Sequence, residues 1–117
     1  VSPKRGDRVA PPATGSLWDL RFATSEAAKG WDELCRQAAA NTLVAYEEMR
    51  RREVEQEPTP RHHRLKGRLA TGVHNGAEME QWQYEVTAGG RIWYLLDIER
   101  RTVWLKYAGT AHPKQTE

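Results

Sequence analysis

The sequence holds a single cysteine, Cys35, among 117 residues. One thiol excludes an internal disulfide and a cysteine-rich zinc site, so neither cross-link nor metal is expected to support the core. The four histidines, at 62, 63, 74 and 112, match no zinc spacing, and there is no P-loop, dinucleotide fingerprint or nucleophile elbow. A metal enzyme or a nucleotide hydrolase is therefore not expected, and no cofactor is called for. No run approaches the roughly 18 apolar residues of a membrane span, and the basic residues near the start are followed by no apolar stretch. The expectation is a cytoplasmic chain with no membrane partner. With only one Phe, the five Trp and four Tyr must supply much of the buried area of one small core.

Charge is present in both signs and unevenly placed. Residues 1–24 carry four Lys/Arg against two Asp/Glu, residues 25–60 five against eight, and residues 61–117 nine against six. An acidic middle and a basic second half are the footprint expected of an anionic partner on one face.

Residues 1–16 combine three Pro, two Gly and few apolar side chains, which predicts a disordered or loosely attached tail before a single domain at 17–117. Trp18, Leu20 and Phe22 alternate with Asp19 and Arg21, the pattern of a half-buried strand. Thr24 or Ser25 caps a helix predicted to reach about Ala40, with Ala27, Ala28, Trp31, Leu34 and Cys35 on its inner face. A second helix follows Asn41-Thr42 and ends before Pro58, giving a helical hairpin or one bent helix. Beyond the prolines the period becomes two. Strands are predicted at 63–70, 82–86, 91–96 and 102–107, with turns at Asn75-Gly76, Gly89-Gly90 and 99–101. The reading is an α+β domain of order β-α-α-β-β-β-β, its helical hairpin packed on one face of an antiparallel sheet. Trp82, Tyr84, Val86, Ile92, Tyr94 and Leu96 are assigned to the buried side. Gln83, Glu85, Arg91, Trp93 and Leu95 fall on the open face.

Four features carry candidate chemistry. The run 61–68 packs four cations and two imidazoles into eight residues. In a strand, Arg64, Lys66 and Arg68 would form a row at about 6.6 Å spacing, close to that of phosphates on a single nucleic acid strand. Arg91 opens the most apolar strand, where a buried cation needs an anion, either a bound phosphate or Glu85. His112 and Lys114 lie in the C-terminal run near the basic face. Trp93 and Trp104 are candidates to stack on an unpaired base.

Strand, helical hairpin and meander, with Leu65-Lys66-Gly67, Trp82, Gly90-Arg91-Ile92-Trp93-Tyr94 and a His-bearing C-terminus, resemble the RelE/ParE superfamily of bacterial toxins. More specifically they resemble the ribosome-dependent mRNA interferases of the RelE and YoeB kind. The resemblance implies a RelE-like fold and the toxin of a type II toxin-antitoxin pair. The implied activity is metal-independent endoribonuclease cleavage of mRNA on the ribosome, restrained by a cognate antitoxin protein. It implies His63 as base, with Glu85 the alternative, Lys66 and Arg91 at the phosphate, and His112 as acid. Arg64, Arg68, Trp93 and Lys114 would contact the RNA. Members commonly carry Arg or Lys where this chain has Gln83 and Glu85. That departure keeps two other readings open: a non-enzymatic inhibitor of DNA gyrase of the ParE type, and a non-catalytic RNA-binding or interaction domain.

Overall fold

The computed structural model describes residues 3–9 and 11–113. It is an α+β fold of two helices and a mixed six-stranded sheet. The elements are β1 (Asp19–Phe22), α1 (Ser25–Gln37), α2 (Ala39–Arg50), β2 (His62–Arg64), a 3-10 turn (Gly67–Leu69), β3 (Thr71–His74), β4 (Ala77–Glu85), β5 (Arg91–Asp97) and β6 (Thr102–Gly109).

Of the two caps the sequence offers, Thr24 is the one used, its hydroxyl accepting from the Ala27 amide at 3.0 Å. The break comes at Ala38, whose backbone is not helical. Its cause is not the Asn41-Thr42 pair: Thr42 Oγ1 donates to Leu34 O at 3.1 Å and Asn41 Nδ2 to Val86 O at 3.2 Å, so both side chains staple the start of α2. Trp31 and Tyr46 then meet with ring centroids 6.3 Å apart, where an unbroken helix would separate the two residues by about 22 Å. The chain therefore doubles back as a hairpin.

The sheet order is β1-β6-β5-β4-β2, with β3 pairing the other end of β4. The meander β4-β5-β6 is antiparallel, but β1 runs parallel to β6, which corrects the all-antiparallel expectation. The two helices between β1 and the meander supply the long crossover a parallel neighbour requires. The strand expected at 63–70 is also corrected. It divides into β2 and β3 around an excursion in which Gly67 has φ +61, a left-handed conformation that a strand cannot contain. At the β3–β4 turn Asn75 (φ 50) and Gly76 (φ 80) both take positive φ, as a two-residue hairpin of the primed type needs.

The predicted inner set is buried against the helices: Trp82, Tyr84, Val86, Ile92, Tyr94 and Leu96 join Trp18, Phe22, Trp31, Leu34 and Met49 in one core. The other face of β5 is not open along its whole length. The β3 hairpin folds over one half of it. A Cβ on Gly72 would stand 2.7 Å from Leu95 Cδ2, and the His74 and Trp104 rings lie 4.2 Å apart. The end bearing Glu85, Arg91 and Gly109 lies beyond the β3 pairing, with Arg91 itself still buried. Part of the N-terminal segment is also attached: Gly6 and Val9 amides donate to Phe22 O and Leu20 O, each at 2.7 Å, along the outer edge of β1. The loose tail expected for 1–16 is thus corrected over these residues.

Among the described residues no helix is long and apolar enough to cross a membrane. Cys35, expected on the inner face of α1, is exposed.

Candidate functional site

Pairing parity places the candidates. Residues directly opposite in antiparallel strands share a face. Glu85 lies opposite Arg91, and Arg91 opposite Gly109, so all three stand on the helix-free face. His63, Gln83, Trp93 and Tyr107 form the next row on that face.

Arg91 is 7% exposed. Its Nη1 donates to three carbonyls of the β4–β5 turn, Thr87 O (3.0 Å), Ala88 O (3.1 Å) and Gly90 O (3.0 Å), which fixes the guanidinium. Nη2 lies 3.1 Å from His112 Nε2 and 3.6 Å from Glu85 Oε2. An arginine carries only donors, so Nη2 donates and the His112 Nε2 lone pair accepts. Nε is buried without a partner. Nε and Nη2 share the side of the planar fork that grips an oxyanion through two parallel hydrogen bonds. One end of Arg91 is thus anchored by the backbone, and its gripping edge faces a carboxylate and an imidazole.

His112 lies beyond the last strand, and its place is set by a clamp. Tyr107 Oη donates to Ala111 O at 2.6 Å. The ring leans on Gly109, where a Cβ would sit 2.5 Å from Tyr107 Oη, and meets Trp93 edge-on at 6.4 Å. Burial first, then Glu33 and Glu26, raise the Tyr107 pKa, so its hydroxyl stays a donor. Neither Tyr107 nor Gly109 was singled out from the sequence. The signal was available in Tyr107-Ala-Gly109, an aromatic and a glycine on one face with His112 three residues after the glycine.

The other sequence candidates are distributed elsewhere. His63 stands on the same face but two strands from Arg91, about 12 Å between Cα positions from strand and residue spacing. Its Nδ1 lies 3.1 Å from its neighbour's carbonyl, Arg64 O. The two histidines therefore do not converge on one guanidinium, a correction to His63 as base; the alternative, Glu85, is the group beside Arg91. Arg64 lies opposite Trp82 and so belongs to the helix-bearing face, where it contacts Ala70 O (3.0 Å) and Glu80 (3.7 Å). Lys66 and Arg68 sit exposed on the excursion that Gly67 creates. The expected row of three cations does not form, and Lys66 is not beside Arg91. Trp93 is 4% exposed and its Nε1 donates to Gln83 Oε1 at 2.9 Å, so it is a packing residue and not a stacking platform. Lys114 lies outside the described residues.

On the opposite face a second buried guanidinium, Arg52, lies 4.4 Å over the Trp82 ring and 5.5 Å over Tyr94. Its Nη1 donates to the Tyr94 hydroxyl, which lies 2.7 Å from His62 Nε2. Burial first, then the Arg52 and His63 charges, lower the His62 pKa to about 4, so this imidazole is neutral at physiological pH.

No group of three metal-ligating side chains occurs among the described residues. Chemically the Glu85–Arg91–His112 trio brings together a carboxylate, a backbone-anchored guanidinium and an imidazole, groups able to exchange protons and to oppose anionic charge. No protein-family model matches this chain, and no similar curated protein or solved structure was found for it.

Proposed function

We propose that this chain is a RelE-like toxin of a type II toxin-antitoxin pair, an endoribonuclease that cuts mRNA on the ribosome. The observation that carries the reading is Arg91 between His112 and Glu85, at 3.1 and 3.6 Å, on the sheet face the helices leave bare. The α+β order of the elements and the aromatic, basic second half of the chain also support it, and a cytoplasmic place of action follows.

In this reading the RNA 2′-hydroxyl attacks the adjacent phosphorus, and Glu85 accepts its proton. Arg91 holds the phosphate through Nη2 and opposes the charge that builds on the pentavalent centre. A phosphate there takes over the Nη2 donor, which releases His112 Nε2 to take up a proton from solvent and pass it to the departing 5′-oxygen. The products are a 2′,3′-cyclic phosphate and a 5′-hydroxyl. Glu85 stands where members of the RelE/ParE superfamily commonly carry a cation, so in this reading the base comes from the end of β4, and Lys66, on the excursion after β2, is not at the phosphate. The cognate antitoxin remains the expected inhibitor.

Inducing the chain and mapping transcript 5′ ends tests this directly. New 5′-hydroxyl ends within codons are expected, and they should vanish with Arg91→Ala and when the 2′-hydroxyl at the cut is replaced by hydrogen. Inhibition of gyrase supercoiling with no new RNA ends contradicts the reading and favours the ParE-type alternative.

A further inference from the structure

The geometry points to Gln83 as the residue that selects the base beside the cut phosphate, favouring guanine over adenine. The inference rests on the RNA-cleavage reading above.

Its starting point is the amide's orientation. Indole Nε1–H is a donor only, so the 2.9 Å contact from Trp93 fixes Gln83 with Oε1 toward the indole. Nε2 is thereby directed away from the buried ring. It has no hydrogen-bond partner among the described residues and is not among the sealed, unpaired atoms, while Gln83 itself is only half-buried. Two N–H donors are therefore presented at the surface with their orientation already set, which lowers the entropy cost of using them.

Placement follows from the register. Gln83 and Glu85 are two residues apart on β4 and share a face, about 7 Å apart. A nucleotide whose phosphate lies on Arg91 brings its base into the Gln83–Trp93 row. A free glutamine pairs with adenine by donating to N7 and accepting from N6. With its oxygen turned inward to Trp93, Gln83 presents donors outward, whose match on a purine is the O6 and N7 of guanine side by side. On adenine the same edge sets the N6 amine beside N7, and that amine meets donor against donor. Trp93 is thus the pin of the selecting group.

Two readouts test this. The first is binding by the intact protein of 2′-O-methyl tetranucleotides, which cannot be cleaved, differing in one base; the second is cleavage of ribosome-bound mRNAs with the same variation. The wild type is expected to favour guanine about tenfold over adenine, in line with the discrimination of a good base contact. Gln83→Leu should abolish the preference. Gln83→Glu retains the acceptor for Trp93 Nε1 and replaces the donors by an acceptor, so it should reverse the preference toward adenine whatever its absolute rate. Thermal unfolding of both variants confirms that they fold. Cleavage with base preference unchanged in both variants overturns the inference and leaves the nuclease reading standing. Base-selective binding that the variants alter, with no cleavage at all, supports the inference and removes the nuclease reading. A wild type that binds guanine and adenine equally overturns the inference.

Discussion

Two arginines are buried in this small sheet, and they have opposite surroundings. Arg52, 3% exposed, is stacked on Trp82 and Tyr94, bonded to the Tyr94 hydroxyl and to Glu53 O at 3.1 Å, and left with Nη2 unpaired. Arg91, 7% exposed, is tied by three carbonyls at one end and offers the other to Glu85 and His112. Burial of a guanidinium therefore does not identify a site. What separates the two is the partner of the free edge: aromatic faces hold a cation in place, whereas a carboxylate and an imidazole can exchange protons around it.

Substitutions that split the two regions should have separable effects. The largest is expected at Arg91: Arg91→Lys keeps the charge but loses the fork, and single-turnover cleavage of ribosome-bound mRNA should fall on the order of 10²- to 10³-fold. Arg52→Ala should instead cost about 3 kcal/mol of unfolding free energy in urea titration, through the cavity and the lost aromatic contacts, with cleavage per folded molecule preserved. A catalytic loss at Arg52 without a stability loss would erase the distinction between them.

The Arg52 region should also give the molecule a pH-sensitive stability. His62 binds its proton at about 4 in the fold and near 6.5 when unfolded. The unfolded chain takes up the proton first, so stability is complete above about pH 6.5 and falls as the pH drops toward 4, by roughly 3 kcal/mol in all. Urea unfolding between pH 7 and 4 should show that slope, and His62→Gln should flatten it. The smallest effect is expected from the clamp on the other face: Tyr107→Phe should cost about 1 kcal/mol of stability and about tenfold in cleavage, because Ala111 and with it His112 lose their tether.

The contrast between the regions also shows what the sequence makes visible. The faces of β4 and β5 are legible from period-two alternation, and the inner set from Trp82 to Leu96 is buried as that pattern requires. Arg91 is conspicuous because a cation follows two glycines into an apolar strand, and Glu85 lies within reach along the same hairpin. Arg52 is invisible, because it sits in the charged run Arg50-Arg51-Arg52-Glu53 and its burial comes from the long-range approach of Trp82 and Tyr94. The row Arg64-Lys66-Arg68 misleads for the opposite reason. Alternation persists through Leu65 and Leu69, while one left-handed backbone at Gly67 turns the chain out of the sheet. The parallel seat of β1 and the folding of β3 over the half of the sheet that holds Leu95 depend on contacts between distant segments, which no local period encodes.

The central claim is that Glu85, and not His63, is the group that works with Arg91 and His112. Its most direct test is the cleavage rate of ribosome-bound mRNA by Glu85→Gln compared with His63→Ala. A loss of about 10²-fold or more in Glu85→Gln, with His63→Ala within a few fold of the wild type, is the predicted result. Full activity in Glu85→Gln with a collapse in His63→Ala would contradict the account.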